Sequence, residues 1–137
     1  MVKITSGVID IAGVIDSARS DKSGGIVAYI GLIRDNSKGK AVRGVEYADA
    51  DGGAESRIND IVKEVKAKFP VNEVSFVHRI GKLNVGDNNV VIAVSAPHRQ
   101  EAFAACQFAI DSFKEKLPTS KKETYLGGCG CGRLPVD

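Results

Sequence analysis

A β-branched run that passes directly into an amphipathic helix constrains this chain more than any other feature. Residues 89–94 (Asn-Val-Val-Ile-Ala-Val) read as a strand, and Ser95-Ala96-Pro97-His98-Arg99 follows at once. Pro97 suits the first helical position, where its fixed φ and missing N–H cost nothing. Beyond it Ala102, Ala105, Cys106, Ala109, Ile110 and Phe113 recur at three- and four-residue steps. That spacing predicts a helix over 97–116, stopped before Pro118. His98 and Arg99 then fall in its first turn, where unpaired N–H groups and the positive end of the helix dipole favour a phosphate or carboxylate.

The rest of the chain alternates elements. Residues 3–9 read as a strand, and Asp10 can cap a short helix with Ile11, Val14, Ile15 and Ala18 on one face. Residues 26–33 and 42–47 read as strands joined by the polar loop 35–40, a connection suited to an antiparallel pair. Ile58, Ile61, Val62, Val65 and Phe69 mark a second amphipathic helix ending at Pro70. Residues 74–80 and 89–94 make two more strands, with a turn around Gly86-Asp87-Asn88. The order β-α-β-β-α-β-β-α-β mixes hairpins with crossovers, which predicts an α+β fold with a mixed or antiparallel sheet and three helices.

A length of 137 residues is that of a single domain able to bury about two-thirds of its unfolded surface. We expect the domain to cover 1–124 and 125–137 to be a flexible Gly/Cys tail, since glycine alternates through Gly127-Gly128-Cys129-Gly130-Cys131-Gly132. No apolar run reaches membrane-span length and the first residues lack a signal-peptide core, so we expect a cytoplasmic protein. Three cysteines are too few for a disulfide framework, and Cys129 and Cys131, one residue apart, fall short of a structural zinc set. No metal site is expected. A net charge of +2 with 6% aromatics offers no basic stripe or stacking platform for nucleic acid. No nucleotide-binding glycine motif occurs, so no cofactor is expected either.

Cations dominate the remaining candidates. Arg34 leaves a strand and opens a basic loop, a position from which a rigid element can aim it. Lys114 sits at the end of the long helix, and Lys121-Lys122-Glu123 follows Pro118. The plain alternative is a dipole-favoured helix end followed by a solvated run. The fifteen positions from Arg99 to Lys114 span roughly 22 Å, too far for one small ligand to touch both in one chain. A shared site needs two chains, as in an isologous dimer with these helices antiparallel across the dyad. His78 lies mid-strand, and a structural role is the better reading for it.

Four motifs stand in order: Gly-x-x-Arg at 31–34, His-Arg-Ile-Gly at 78–81, Ala-x-His-Arg at 96–99, and Lys114-x-x-x-Pro118-x-x-Lys121-Lys122-Glu123. Their order and spacing over 24–123 resemble the large, catalytic subunit of molybdopterin synthase. The resemblance implies a dimeric α/β-hammerhead fold in a heterotetramer with a small ubiquitin-like sulfur carrier. It implies transfer of sulfur from that carrier's C-terminal Gly-Gly thiocarboxylate to cyclic pyranopterin monophosphate, giving the molybdopterin dithiolene. By the same resemblance Lys114 and Lys121 are catalytic, while Arg34, His98, Arg99 and Lys121 bind substrate. Both reactants are anions, so clustered cations make chemical sense.

Two departures from the family pattern stand out. Thr119-Ser120 replaces the bulky aromatics frequent before the Lys-basic-Glu segment, which predicts lost ring packing beside the pterin or carrier tail. The Gly/Cys end replaces a more acidic, aromatic tail. The rival reading is a non-catalytic relative that keeps the carrier-docking surface as a binding or scaffold protein.

Overall fold

A computed structural model describes residues 1–125 and the backbone of residues 133–136. In chain order the elements are β1 (Val2–Thr5), α1 (Ile11–Ser17), β2 (Gly25–Leu32), β3 (Asn36–Ser37), β4 (Lys40–Ala48) and α2 (Ala54–Lys68). There follow β5 (Glu73–Arg79), β6 (Gly81–Asn84), β7 (Asn88–Ala96), α3 (Arg99–Glu115), β8 (Ser120–Tyr125) and β9 (Arg133–Val136). One sheet has the order β1-β5-β7-β2, with β1 parallel to β5 and the other neighbours antiparallel. In the second, β4 pairs antiparallel with β3, β6 and β8, and β8 with β9. The architecture is α+β, as the element order implies. None of the described helices is long and apolar enough to cross a membrane.

Side-chain alternation in the first sheet sorts the core into layers. Val74 and Phe76 of β5 join Val90, Ile92 and Val94 of β7 in one cluster with Ile58 and Val65 of α2 and Ala105, Ala109 and Phe113 of α3. The intervening Val77, Val91 and Ala93 pack instead with Val14 and Ala18 beside α1. Ile33, Val42, Val45, Tyr47, Leu83 and Tyr125 form the core of the second sheet. Asp10 caps α1 as its side chain predicts, accepting from the Gly13 N–H at 3.1 Å.

Several expectations change. The strand over 3–9 stops at Thr5, because the chain turns there and buries Ile9 beside α1. Residues 26–33 and 42–47 are strands but not partners: β2 pairs with β7, and β4 belongs to the other sheet. The polar loop closes a smaller hairpin instead, Asn36–Ser37 on Lys40–Ala41, through a turn at Lys38 and Gly39 with φ of 53° and 79°. The turn at Gly86 joins β6 to β7, not β5 to β7. At Gly81, whose φ of +97° suits glycine alone, the chain leaves the first sheet to lay β6 on β4 before returning. Pro97 lies outside α3, whose N-cap is His98. Residues 133–136, inside the stretch expected to be a mobile tail, pair with β8. Cys129 and Cys131 lie outside the described residues.

Candidate active site

Gly31, the first residue of Gly-x-x-Arg, shows how the site is built. A Cβ there would overlap Asn89 Oδ1 and lie 2.8 Å from Val90 Cγ1, so β2 crosses β7 closely only because the side chain is missing. Register shifts between Gly31 and Leu32. The chain then passes toward the second sheet, carrying Arg34 with it. Lys114 arrives from the last turn of α3, and Lys121 from β8, where its Cα lies opposite that of Tyr47.

These three cations line one cleft of about 730 Å³, with Tyr47, Asn89 and Glu123 also in its wall. Lys114 is exposed and Lys121 half-buried. His98 and Arg99 lie elsewhere. They border a shallower concavity of about 350 Å³ with Gly24 and Pro97, at the opposite end of α3. Within one chain the structure therefore brings together Arg34, Lys114 and Lys121, and keeps His98 and Arg99 apart from them by most of a helix, roughly 22 Å. His98 has extended backbone (φ −127°, ψ 144°) and its side chain makes no capping hydrogen bond. The helix start thus keeps its unpaired N–H groups beside an imidazole and a guanidinium.

The cleft wall is polar and braced. Glu123 is 3% exposed, and its Oε1 accepts from Ser37 Oγ at 3.1 Å and Tyr125 Oη at 2.9 Å. Asn89 Nδ2 donates to Tyr47 Oη at 2.9 Å. Burial raises the Tyr47 phenol above its ordinary value of 10.0, so it is a neutral hydrogen-bonding group at physiological pH. Three cations thus face two carboxylates, buried Glu123 and exposed Glu115, leaving the cleft positive on balance and suited to an anionic guest.

His78, next to last in β5, is held as a structural residue. It is fully buried between the rings of Tyr47 and Phe113, each edge-on with centroids 4.9 Å away. Its Nδ1 lies 2.8 Å from the Asn89 carbonyl oxygen and its Nε2 2.9 Å from Thr119 Oγ1. Thr119 is accordingly buried against an imidazole, while Ser120, the other residue standing where the family frequently has aromatics, is exposed. The lysine run is not a solvated tail either. Lys121, Glu123 and Tyr125 alternate along β8 in step with Thr119 just before it, and three of these four residues are buried. The period of two in Thr-x-Lys-x-Glu-x-Tyr was the available signal for that strand. Tyr47 and Asn89, which line the cleft, and Ser37, which braces Glu123 from behind it, carried no comparable signal, since packing of the two sheets alone brings them there.

Among the described residues no group of three His, Cys, Asp or Glu side chains could hold a metal. A third concavity, bordered by Arg19, Asp21 and Gly24, contains none of the candidate residues.

Comparison with known proteins shows the family of this fold. The family model described as MoaE protein matches residues 4–116. Molybdopterin synthase catalytic subunit 1 of Aedes aegypti is 36% identical over 131 residues, covering 95% of this chain and 84% of that protein. The crystal structure of molybdopterin synthase from Staphylococcus aureus superposes with a TM-score of 0.85 at 34% identity, covering 93% of each chain. A complex of subunits 1 and 2 of molybdopterin-converting factor from Helicobacter pylori shares the fold, with a TM-score of 0.73 at 16% identity over 96% of this chain and 87% of that one. The chain belongs to the MoaE protein family, the catalytic subunits of molybdopterin synthase.

Proposed function

We propose that this chain is a sulfurtransferase acting on cyclic pyranopterin monophosphate, with sulfur delivered as the C-terminal thiocarboxylate of a small ubiquitin-like carrier. The observation that carries this reading is the convergence of Arg34, Lys114 and Lys121 on one cleft. Lys114 stabilises the reacting oxygen and the carboxylate that leaves as sulfur is transferred, and Lys121 balances the developing charge. Arg34 binds the anionic substrate. His98 and Arg99 supply the phosphate site at the start of α3.

The separation of the two cation sets supports a homodimer in which α3 of each protomer brings His98 and Arg99 to the cleft of the other. The carrier is a second kind of partner, giving a heterotetramer. In the Helicobacter pylori structure two different subunits form a complex, and an association of that kind is what the reading requires. Sparse cysteine usage supports the cytoplasm as the compartment.

The test is to mix the purified chain with a thiocarboxylated carrier and the cyclic pterin phosphate, and to assay the dithiolene product. Product is expected from the wild type and not from Lys114→Ala. A folded wild-type dimer that binds carrier and forms no product would replace this reading with that of a carrier-binding scaffold.

A further inference from the structure

His78 packs behind the cleft wall, against Tyr47 and Phe113, and does not itself line the cleft. Phe113, one of its ring neighbours, immediately precedes Lys114 on α3. Tyr47, the other, stands opposite Lys121 in the β4–β8 register. Thr119, its hydrogen-bond partner, immediately precedes β8 and stands two residues before Lys121. We propose that His78 is a positioning residue that fixes Lys114 and Lys121 relative to one another, through Phe113 on one side and Tyr47 and Thr119 on the other. The proposal rests on the assignment of those two lysines to sulfur transfer.

The hydrogen bonds define how the ring is held. The Asn89 carbonyl can only accept, so Nδ1 carries the proton and Nε2 presents its lone pair. The Thr119 hydroxyl therefore donates to Nε2. Burial lowers the His78 pKa, which keeps the ring neutral and this arrangement intact at physiological pH. Packing alone would be served as well by a hydrocarbon ring. A neutral imidazole with both nitrogens occupied instead selects one placement of the segment joining α3 to β8. That segment is gripped again one residue earlier, where Arg57 Nη1 donates to the Pro118 carbonyl at 3.0 Å. Arg57 is itself paired with Asp51. Six residues separate Lys114 from Lys121, and two of them, Pro118 and Thr119, are held from opposite parts of the fold.

Thr119→Val keeps the shape of the side chain and removes its donor, and Thr119→Ser keeps the donor. In the product assay we expect Thr119→Val to lower kcat by about tenfold with KM for the pterin nearly unchanged, and Thr119→Ser to recover most of the loss. A readout independent of turnover is cross-linking of Lys114 to Lys121 by a short bifunctional amine reagent, mapped by mass spectrometry. Its yield should fall several-fold in Thr119→Val and return in Thr119→Ser. Wild-type kcat and cross-linking in Thr119→Val, with only the melting temperature lowered, would overturn the proposal. If the wild type forms no product yet the cross-link follows the hydroxyl, the positioning stands and the sulfur-transfer reading falls.

Discussion

Ser37 Oγ donates to Glu123 Oε1 at 3.1 Å across 86 residues of sequence, joining the small β3–β4 hairpin to the strand that carries Lys121. Both residues are buried, so the bond cannot be exchanged for one to water. Ser37→Ala leaves the carboxylate oxygen with Tyr125 as its remaining hydroxyl donor of the two described. We expect a loss of about 1–3 kcal/mol in urea unfolding. An unchanged midpoint would mean that water replaces the hydroxyl.

Mixing two inactive variants tests whether the site is shared between chains. If His98 and Arg99 serve the partner's cleft, Lys114→Ala and His98→Ala protomers form heterodimers with one intact and one doubly damaged site. Random re-association of equal amounts should then restore about a quarter of wild-type activity, since half the dimers carry one good site of two. Sites complete within one chain would give no recovery.

Gly31→Ala places a methyl group against Asn89 Oδ1 and Val90 Cγ1. The expected cost is about 1–3 kcal/mol from overpacking, together with weaker substrate binding as Arg34, three residues on, is displaced. Thermal melts and KM for the pterin check the two effects separately.

Stability should fall on mild acidification because of His78. Burial holds its folded-state pKa below the ordinary 6.5, so the unfolded chain takes up the proton first as pH drops. This contribution is fully present above about pH 6.5 and is lost as the pH falls from there through the folded-state value. A His78→Gln variant, whatever its baseline stability, should show a flatter dependence of unfolding free energy on pH across that window.

Cys106 lies on the buried face of α3, and burial pushes its thiol up to about 11. Peptide mapping after iodoacetamide treatment near pH 8 should find Cys106 unmodified in the folded protein and modified in denaturant. Labelling at equal rates in both would show that α3 opens readily.

Local chemistry alone determined much of this protein. The three helices, their faces and the Asp10 cap follow from three- and four-residue spacing and one short side chain, because a helix's hydrogen bonds and buried stripe are set within its own sequence. A pocket shared by Arg34, His98, Arg99, Lys114 and Lys121 was legible only through the family that the ordered motifs resemble, and helix length alone separated Arg99 from Lys114 within one chain. Strand partnership was not legible. Residues 26–33 and 42–47 look like a hairpin because each strand and the intervening turn are locally sound, yet β2 found its partner in β7. Strand pairing is a contest among distant segments, decided by which faces can be buried together. The same holds for the site's supports. Ser37 reaches Glu123, and His78 reaches Thr119, only after the two sheets have met, so tertiary packing alone decided how the cleft lysines are held.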